Sequence, residues 1–492
     1  VNILMVTAEM APFAKVGGLA DVAEALSRTL ARRKHDVRVV VPLYGSLDRK
    51  ALKITPIKQL PTLPVRVGQT THDVRLFRLG AANAAVKIYL VGAELFDRKG
   101  IYTDAQGEGW SDALERASLH TQVALMLPRL LDWPVDIIHA HDAASAPALV
   151  MRRQWYTGRE LPGPAGTVLT IHNLAHQEVY PPGAADTLGL PPALTAYPGL
   201  LEFHGQMNLM KGGILAADRV NTVSPTYAEE TRTDPSYGCG LQNVLAEQGD
   251  RYSGILNGGD YANWDPRRDT MLPARFSSGD LKGKKTCRQA LLKKAGLKLA
   301  ADRPLCGFVG RLVGQKGVDI LVPVLDRLAD DGFGFVILGT GEKRLEQDMR
   351  QVADRWPDRV AFIDAFDEKL AHLIYAGSDI FLMPSLFEPC GLSQMYALRY
   401  GTPPVVRRTG GLADTVIDAA DKAGNGFVFD EGRPEALLGA MRTAERLFAQ
   451  PAQWRALQER GMALDFSWDT AAPHYEEMYT QALTAATARA GS

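Results

Sequence analysis

The feature that most constrains the fold is a rhythm that runs through the chain twice. Short apolar runs rich in β-branched residues alternate with segments of helical period. The first series falls at residues 3–7, 37–41, 86–91, 137–139, 168–171 and 220–223, and the second at 305–309, 335–338, 360–363, 380–383, 404–406 and 427–429. Helical segments such as 22–30, 318–328 and 344–356 lie between them. Parallel strands need a long crossover that a helix supplies, so the alternation predicts parallel sheets. Two series in 492 residues, too many for one hydrophobic core, predict two doubly wound α/β domains, residues 1–245 and 246–466. Residues 242–260 join them, residues 267–285 read as a polar excursion before the second sheet, and residues 468–488 form a closing helix that tolerates Pro473 in its first turns.

Lys plus Arg (55) nearly balance Asp plus Glu (56). No global positive field exists to attract nucleic acid or an anionic membrane, so any anion must be held locally. Cys239, Cys287, Cys306 and Cys390 form no CxxC pair, which argues against a disulfide framework or a structural zinc site and fits a reducing cytoplasm. The amino end lacks the basic start and apolar stretch of a signal peptide, and no run reaches membrane-spanning length.

Doubly wound sheets bind ligands beyond the carboxyl ends of their strands, and two such sheets imply a cleft between them. Residues just after strands therefore carry the functional argument. Lys15-Val16-Gly17-Gly18 follows the first strand and leads into a helix. Its glycines allow a phosphate to approach backbone N–H groups at a helix start, and Lys15 adds a charge. Taken alone, the stretch is also readable as a glycine turn with a solvated lysine. Gly310 to Gly317 opens the second series, where Arg311 offers a planar fork and Lys316 a compact charge to a diphosphate, in place of a metal. Two surface cations on a loop are the alternative. In Pro384 to Ser393, backbone donors at Gly391, Leu392 and Ser393 suit a phosphate or sugar oxygen. Glu388 there suits sugar hydroxyls or a developing positive charge, or else caps a helix. His139-Ala140-His141-Asp142 and Ile171-His172-Asn173 also follow strands. The HxH spacing lacks an acidic or thiol partner for a metal, and Asp142 is more simply a sugar-hydroxyl acceptor. No GxSxG serine elbow is present.

Taken together, KVGGL (15–19), HAHD (139–142), IHNLA (171–175), NLMKGGI (208–214), TVSPTYAEE (222–230), YGCGL (237–241), GILNG (254–258), GRLVGQKG (310–317) and FEPCGL (387–392), with the stretch 396–416, resemble the bacterial glycogen synthase and plant starch synthase family over nearly the whole chain. The resemblance implies a GT-B fold, with two Rossmann-like domains facing an interdomain cleft and a final helix, 467–490, returning to the first domain. It implies retaining transfer of glucose from ADP-glucose to the non-reducing 4-hydroxyl of an α-1,4-glucan such as glycogen, with no metal or other cofactor. By motif, Lys15, Arg311 and Lys316 would hold the diphosphate, aided by backbone at Gly17, Gly18, Cys390 and Gly391 to Ser393. Asp142, His172 and Glu388 would orient the transferred glucose, Asn257 would be a further donor contact, and Phe366 would stack on the base.

The chain departs from the family pattern at several positions, the first of which bear on acceptor or glucose packing. Ala143 stands where the family usually has Trp, and His176-Gln177-Glu178 where it has Tyr-Gln-Gly. Phe366 lacks the hydroxyl of the usual Tyr, Leu386 replaces a common Arg, and Gly259 an Ile. Two alternatives stand beside the main reading. One is a retaining transferase using UDP-glucose or a small acceptor, and the other a weakly active glucan-binding relative.

Overall fold

The computed structural model describes residues 1–80, 84–155 and 165–491. The chain divides into two compact units. One comprises Val1–Val223, Ala228–Ile255 and the segment from Ala471 onward, and the other Ser224–Tyr227 and Leu256–Thr470.

The first unit is built on a sheet whose parallel strands, numbered among themselves in chain order, lie in the order 3-2-1-4-5-6-7. They are Asn2–Val6, Asp36–Pro42, Val86–Gly92, Ile137–His141, Gly166–Ile171, Arg219–Thr222 and Tyr252–Gly254. The last of these corrects the predicted boundary at 245. Tyr252–Gly254 pairs with Arg219–Thr222 in the register Val220↔Tyr252, so the first unit extends to Ile255. Three residues carry no readable period, which is why the strand was invisible in the sequence. An antiparallel hairpin, Leu63–Val67 with Thr70–Leu79, extends the opposite edge and was also unforeseen. Its strand Leu63–Val67 alternates buried and exposed residues, the mark of a sheet with one wet face.

The closing helix, Trp468–Gly491, runs on through Pro473. It buries Tyr475 and Tyr479, while Glu476 takes a bidentate bond from Arg33 and one from His35.

The second unit holds a six-stranded parallel sheet in the order 3-2-1-4-5-6: Leu305–Val309, Gly334–Leu338, Val360–Ile363, Ile380–Met383, Pro404–Arg407 and Phe427–Phe429. Gly334–Leu338 shows why its strands read as unbroken apolar runs. Phe335 and Ile337 join the core on one face, with Val318, Leu321 and Leu325. Val336 and Leu338 join the core on the other, with Ile374, Phe381 and Tyr400. Successive side chains point to opposite faces, and both faces are covered by helices. The excursion 267–285 ends in a helix, Lys282–Ala295, that buries Cys287 and Leu291.

In both units the strand order reverses between the first and fourth strands. Their carboxyl ends mark the topological switch point at which a doubly wound sheet opens a ligand crevice.

Candidate active site

In the first unit the switch point is formed by the residues after Asn2–Val6 and Ile137–His141. The loop after the first strand is closed on itself, because Met10 and Ala14 exchange both backbone hydrogen bonds. Lys15 follows directly, its ammonium 2.7 Å from Asp21 Oδ1, both side chains substantially exposed. Gly17 caps the helix Gly18–Arg32. Its N–H, expected to approach a phosphate, instead donates to Glu9 Oε2 at 2.9 Å, beside the Val16 N–H at 2.6 Å. The anion at this helix start is therefore one of the protein's own carboxylates. Tyr102 donates to the other oxygen, Glu9 Oε1, at 2.9 Å. Burial and the adjacent Glu9 charge push the Tyr102 phenol well above its ordinary value, so it stays a donor.

Asp142 sits past the fourth strand with φ of +59°, a left-handed conformation that Asp tolerates better than most residues. Its Oδ1 accepts the His172 N–H at 2.6 Å. Burial pushes the carboxyl up to about 7, amides of His172 and Asn173 pull against that, and Glu9 adds a smaller upward push. His172 Nε2 lies 3.0 Å from His141 Nδ1. Burial holds both rings well below the ordinary imidazole value, so both are neutral near pH 7. His141 Nε2 is buried without a partner among the described residues. An orphaned acceptor costs less than an orphaned N–H, so the proton belongs on His141 Nδ1, donated to His172 Nε2. His172 then carries its own proton on Nδ1, as a hydrogen-bond donor.

His139 is occupied otherwise. Thr170 Oγ1 donates to Asn221 Oδ1 at 2.7 Å, so it accepts from His139 Nε2 at 2.7 Å, which leaves Nδ1 to accept from Tyr479 at 2.9 Å. Both ring nitrogens tie the strand to the closing helix and the neighbouring strands.

In the second unit the switch point gathers Arg311, Lys316, Ser385 and Glu388. Lys316 Nζ lies 2.5 Å from Glu388 Oε2, and Ser385 Oγ donates to the same oxygen at 3.1 Å. Glu388 is 6% exposed and caps no helix, since the next one begins at Ser393. The two loops are laced together. Leu386 N–H donates to Gln315 O at 2.8 Å, and Gln315 Nε2 to Phe387 O at 3.3 Å. Gly317 must be glycine here, because φ is +70° and a Cβ would collide with the Pro384 carbonyl. Arg311 is exposed, and its side chain has no partner among the described residues.

Gln394, fully buried, donates from Nε2 to Cys390 O at 3.0 Å and Gly391 O at 2.9 Å, which pins the turn before Ser393. Gly391 takes φ of +74° there. Cys390 and Asn257 are buried, burial raises the thiol's pKa, and Asn257 Oδ1 has no partner among the described residues. Leu392 is the residue before the helix Ser393–Arg399. Phe366 stands 91% exposed past the strand Val360–Ile363.

The structure thus gathers Lys15, Gly17, Gly18, Asp142 and His172 at one switch point, and Arg311, Lys316, Glu388 and Cys390 to Ser393 at the other. Sequence reasoning missed Glu9, Asp21, Tyr102, Ser385 and Gln394. Glu9 was findable, since it stands three residues beyond the first strand. Ser385 lay inside a stretch already singled out. Gln394 bonds back only three and four residues, to Gly391 and Cys390, beside a stretch already singled out, whereas Tyr102 acts through folded proximity alone.

Among the described residues no helix is long and apolar enough to cross a membrane. The starch synthase catalytic domain family matches residues 2–247, and the glycosyl transferases group 1 family residues 292–456. A glycogen synthase from Anaeromyxobacter sp. is 44% identical over 97% of this chain and 98% of its own length. One from Thioalkalivibrio sulfidiphilus is also 44% identical, over 97% and 99%. The catalytic domain of Arabidopsis thaliana starch synthase IV, solved bound to ADP and acarbose, superposes with a TM-score of 0.89 at 32% identity, covering 98% of this chain and 99% of that one. Sucrose-phosphate synthase from Thermosynechococcus elongatus, at 19% identity and a TM-score of 0.62, shares the fold. Full-length identity of this order, carried by the motifs at both switch points, assigns the chain to the glycogen and starch synthase family of glycosyltransferases.

Proposed function

We propose that this enzyme elongates an α-1,4-glucan such as glycogen by retaining transfer of glucose from ADP-glucose to the non-reducing 4-hydroxyl. The observation that most supports this reading is the second switch point, which holds the Lys316–Glu388 pair and an exposed Arg311 whose side chain has no partner among the described residues. An arginine fork and an ammonium there would neutralise the charge that grows on a departing diphosphate, a duty that the family motif also gives to Lys15. The leaving group is already good, so charge neutralisation and positioning can supply most of the rate with no resident metal or cofactor. Lys316 would exchange part of its contact with Glu388 for the diphosphate, freeing the carboxylate for glucose hydroxyls. The exposed Phe366 would stack on the base, and Asn257 with the turn from Cys390 to Ser393 would complete the donor contacts. His172 Nδ1–H and the Asp142 carboxylate would address glucose hydroxyls as donor and acceptor.

Retention would follow from front-face attack, with an oxygen of the departing diphosphate drawing the proton from the acceptor hydroxyl. Trapping of a glucosyl-Glu388 adduct would overturn that mechanism.

The ADP seen in the Arabidopsis starch synthase IV structure supports adenine as the donor base. Radiolabelled ADP-glucose and UDP-glucose, offered in competition with glycogen as primer, test donor and reaction together. The expected result is polymer growth preferentially from ADP-glucose. Equal or better use of UDP-glucose would refute the donor assignment, and glycogen binding without growth would favour a glucan-binding protein. No broad positive field points to nucleic acid as a partner, and the reading places the enzyme in the cytoplasm.

A further inference from the structure

Glu9 is a buried carboxylate that neither the motifs nor the reaction above assigns, with only 4% of its surface exposed. Burying such a charge is costly unless hydrogen bonds compensate. Three do so here: Val16 N–H at 2.6 Å, Gly17 N–H at 2.9 Å and the Tyr102 hydroxyl at 2.9 Å. The two amides belong to the residue after Lys15 and to the cap of the helix Gly18–Arg32, which has no side-chain cap of its own. The residue before Lys15 is tied by the Met10–Ala14 exchange of hydrogen bonds. Lys15 is therefore mounted on backbone fixed from both sides, and on its carboxyl side the fixing group is Glu9.

We propose that Glu9 is a positioning residue: anchored by Tyr102, its carboxylate fixes the backbone on which Lys15 is carried to the departing diphosphate. The proposal rests on the assignment of Lys15 to the diphosphate. It adds that the Val16 and Gly17 amides serve the protein's own carboxylate, so that this loop reaches the donor through its lysine. A charge-assisted bond to each amide, with the helix dipole behind it, makes the carboxylate a stiff anchor. Misplacement of a catalytic group by about 1 Å costs about 100-fold in rate.

The test combines backbone exchange with kinetics on the intact enzyme. In Glu9→Ala, hydrogen–deuterium exchange at the Val16 and Gly17 amides should accelerate about 10-fold or more. The kcat per folded molecule should fall about 100-fold, with a smaller rise in donor KM. Glu9→Gln should restore amide protection and most of the rate, because its side-chain oxygen accepts from both amides while its N–H donates to the Tyr102 oxygen. Tyr102→Phe should fall between the two. Unchanged exchange in Glu9→Ala, a wild-type kcat per folded molecule, or a Gln variant as exchange-labile as Ala would overturn the proposal. Exchange does not depend on turnover. If the wild-type enzyme fails to extend glycogen, the proposed function falls, and the amide protection still decides the role of Glu9.

Discussion

Replacing Asp142 by Asn should make the protein more stable at neutral pH while disabling it. The carboxyl is raised from 3.8 to about 7, chiefly by burial. Below pH 4 it is protonated both folded and unfolded, and its contribution to stability is fully present. Between pH 4 and 7 the unfolded chain releases this proton while the folded protein keeps it, so stability falls as pH rises through that window. A rise of about 3 pH units at 1.36 kcal/mol each sets a ceiling of roughly 4 kcal/mol. Asp142 is only half-buried, and solvent screening reduces this to roughly 2 kcal/mol. Asparagine keeps an oxygen for the His172 N–H and does not titrate. The melting temperature of Asp142→Asn relative to wild type should therefore climb by roughly 4 °C between pH 4.5 and pH 8, at ~2 °C per kcal/mol for a domain of this size.

The assay is differential scanning calorimetry of both proteins at matched ionic strength, following the transition of the first unit. Tyr102, His141 and His172 are common to both proteins, so their titration largely cancels in the difference. A difference in melting temperature that is flat with pH, or that shrinks toward pH 8, would refute the reasoning. Kinetics give the complementary result. If the carboxylate accepts a sugar hydroxyl, wild-type kcat/KM should fall as pH drops below about 7, and the Asn variant should be slow at every pH.

Other expectations are equally direct. Lys15→Ala, Arg311→Ala and Lys316→Ala should each cut kcat/KM for ADP-glucose at least 10-fold, since a charge-assisted contact is worth ~1.5–3 kcal/mol; the melting temperature should change little in the first two and fall in the third, which leaves the buried Glu388 without its cation, and near-normal rates in all three would defeat the diphosphate assignment. Gly317→Ala should lower both stability, by ~2 kcal/mol, and turnover, because its Cβ would push the Pro384 carbonyl and shift Glu388 away from Lys316; denaturant titration and initial rates measure both. Glu178 holds φ of +55°, and its carboxylate accepts the Tyr180 hydroxyl. Glu178→Gly should be nearly neutral in stability, whereas the β-branched Glu178→Val should cost ~2 kcal/mol, a contrast that urea unfolding resolves. Lys284, buried beneath Ala376 O, Tyr400 O and Thr402 Oγ1, is held down to about 8 by burial. The unfolded chain therefore binds more protons than the folded one between pH 8 and 10.5, and stability due to this group should rise across that window. Lys284→Met should lose that rise in a pH series of unfolding curves.

What could be read from the sequence, and what could not, divides along a physical line. The parallel strands were legible because burial on both faces makes them continuous apolar runs, as Phe335, Val336, Ile337 and Leu338 show by dividing between two cores. Lys15, Arg311, Lys316 and Glu388 were legible because a doubly wound sheet binds at the carboxyl ends of its strands, and a strand's end can be located from its apolar run. Tyr252–Gly254 was too short to carry a period. Tyr102 reaches Glu9 across 93 positions and Tyr479 reaches His139 across 340, partnerships that no local pattern encodes.

Glu178 shows most clearly where the boundary lies. Its departure from Gly was visible in the sequence, where it suggested altered acceptor packing. The structure gives the difference a backbone meaning as well, because the position needs a left-handed φ that glycine adopts freely and glutamate only at a cost of ~1–2 kcal/mol. The Tyr180 hydroxyl on its carboxylate returns part of that cost. The chain keeps an acidic residue in a left-handed conformation six positions beyond His172 in the sequence, and strained residues of this kind cluster at functional sites. If Glu178 is one of them, Glu178→Gly, nearly neutral in stability, should change KM for the glucan while leaving KM for the donor in place. A shift in the donor constant alone would assign Glu178 to the other substrate.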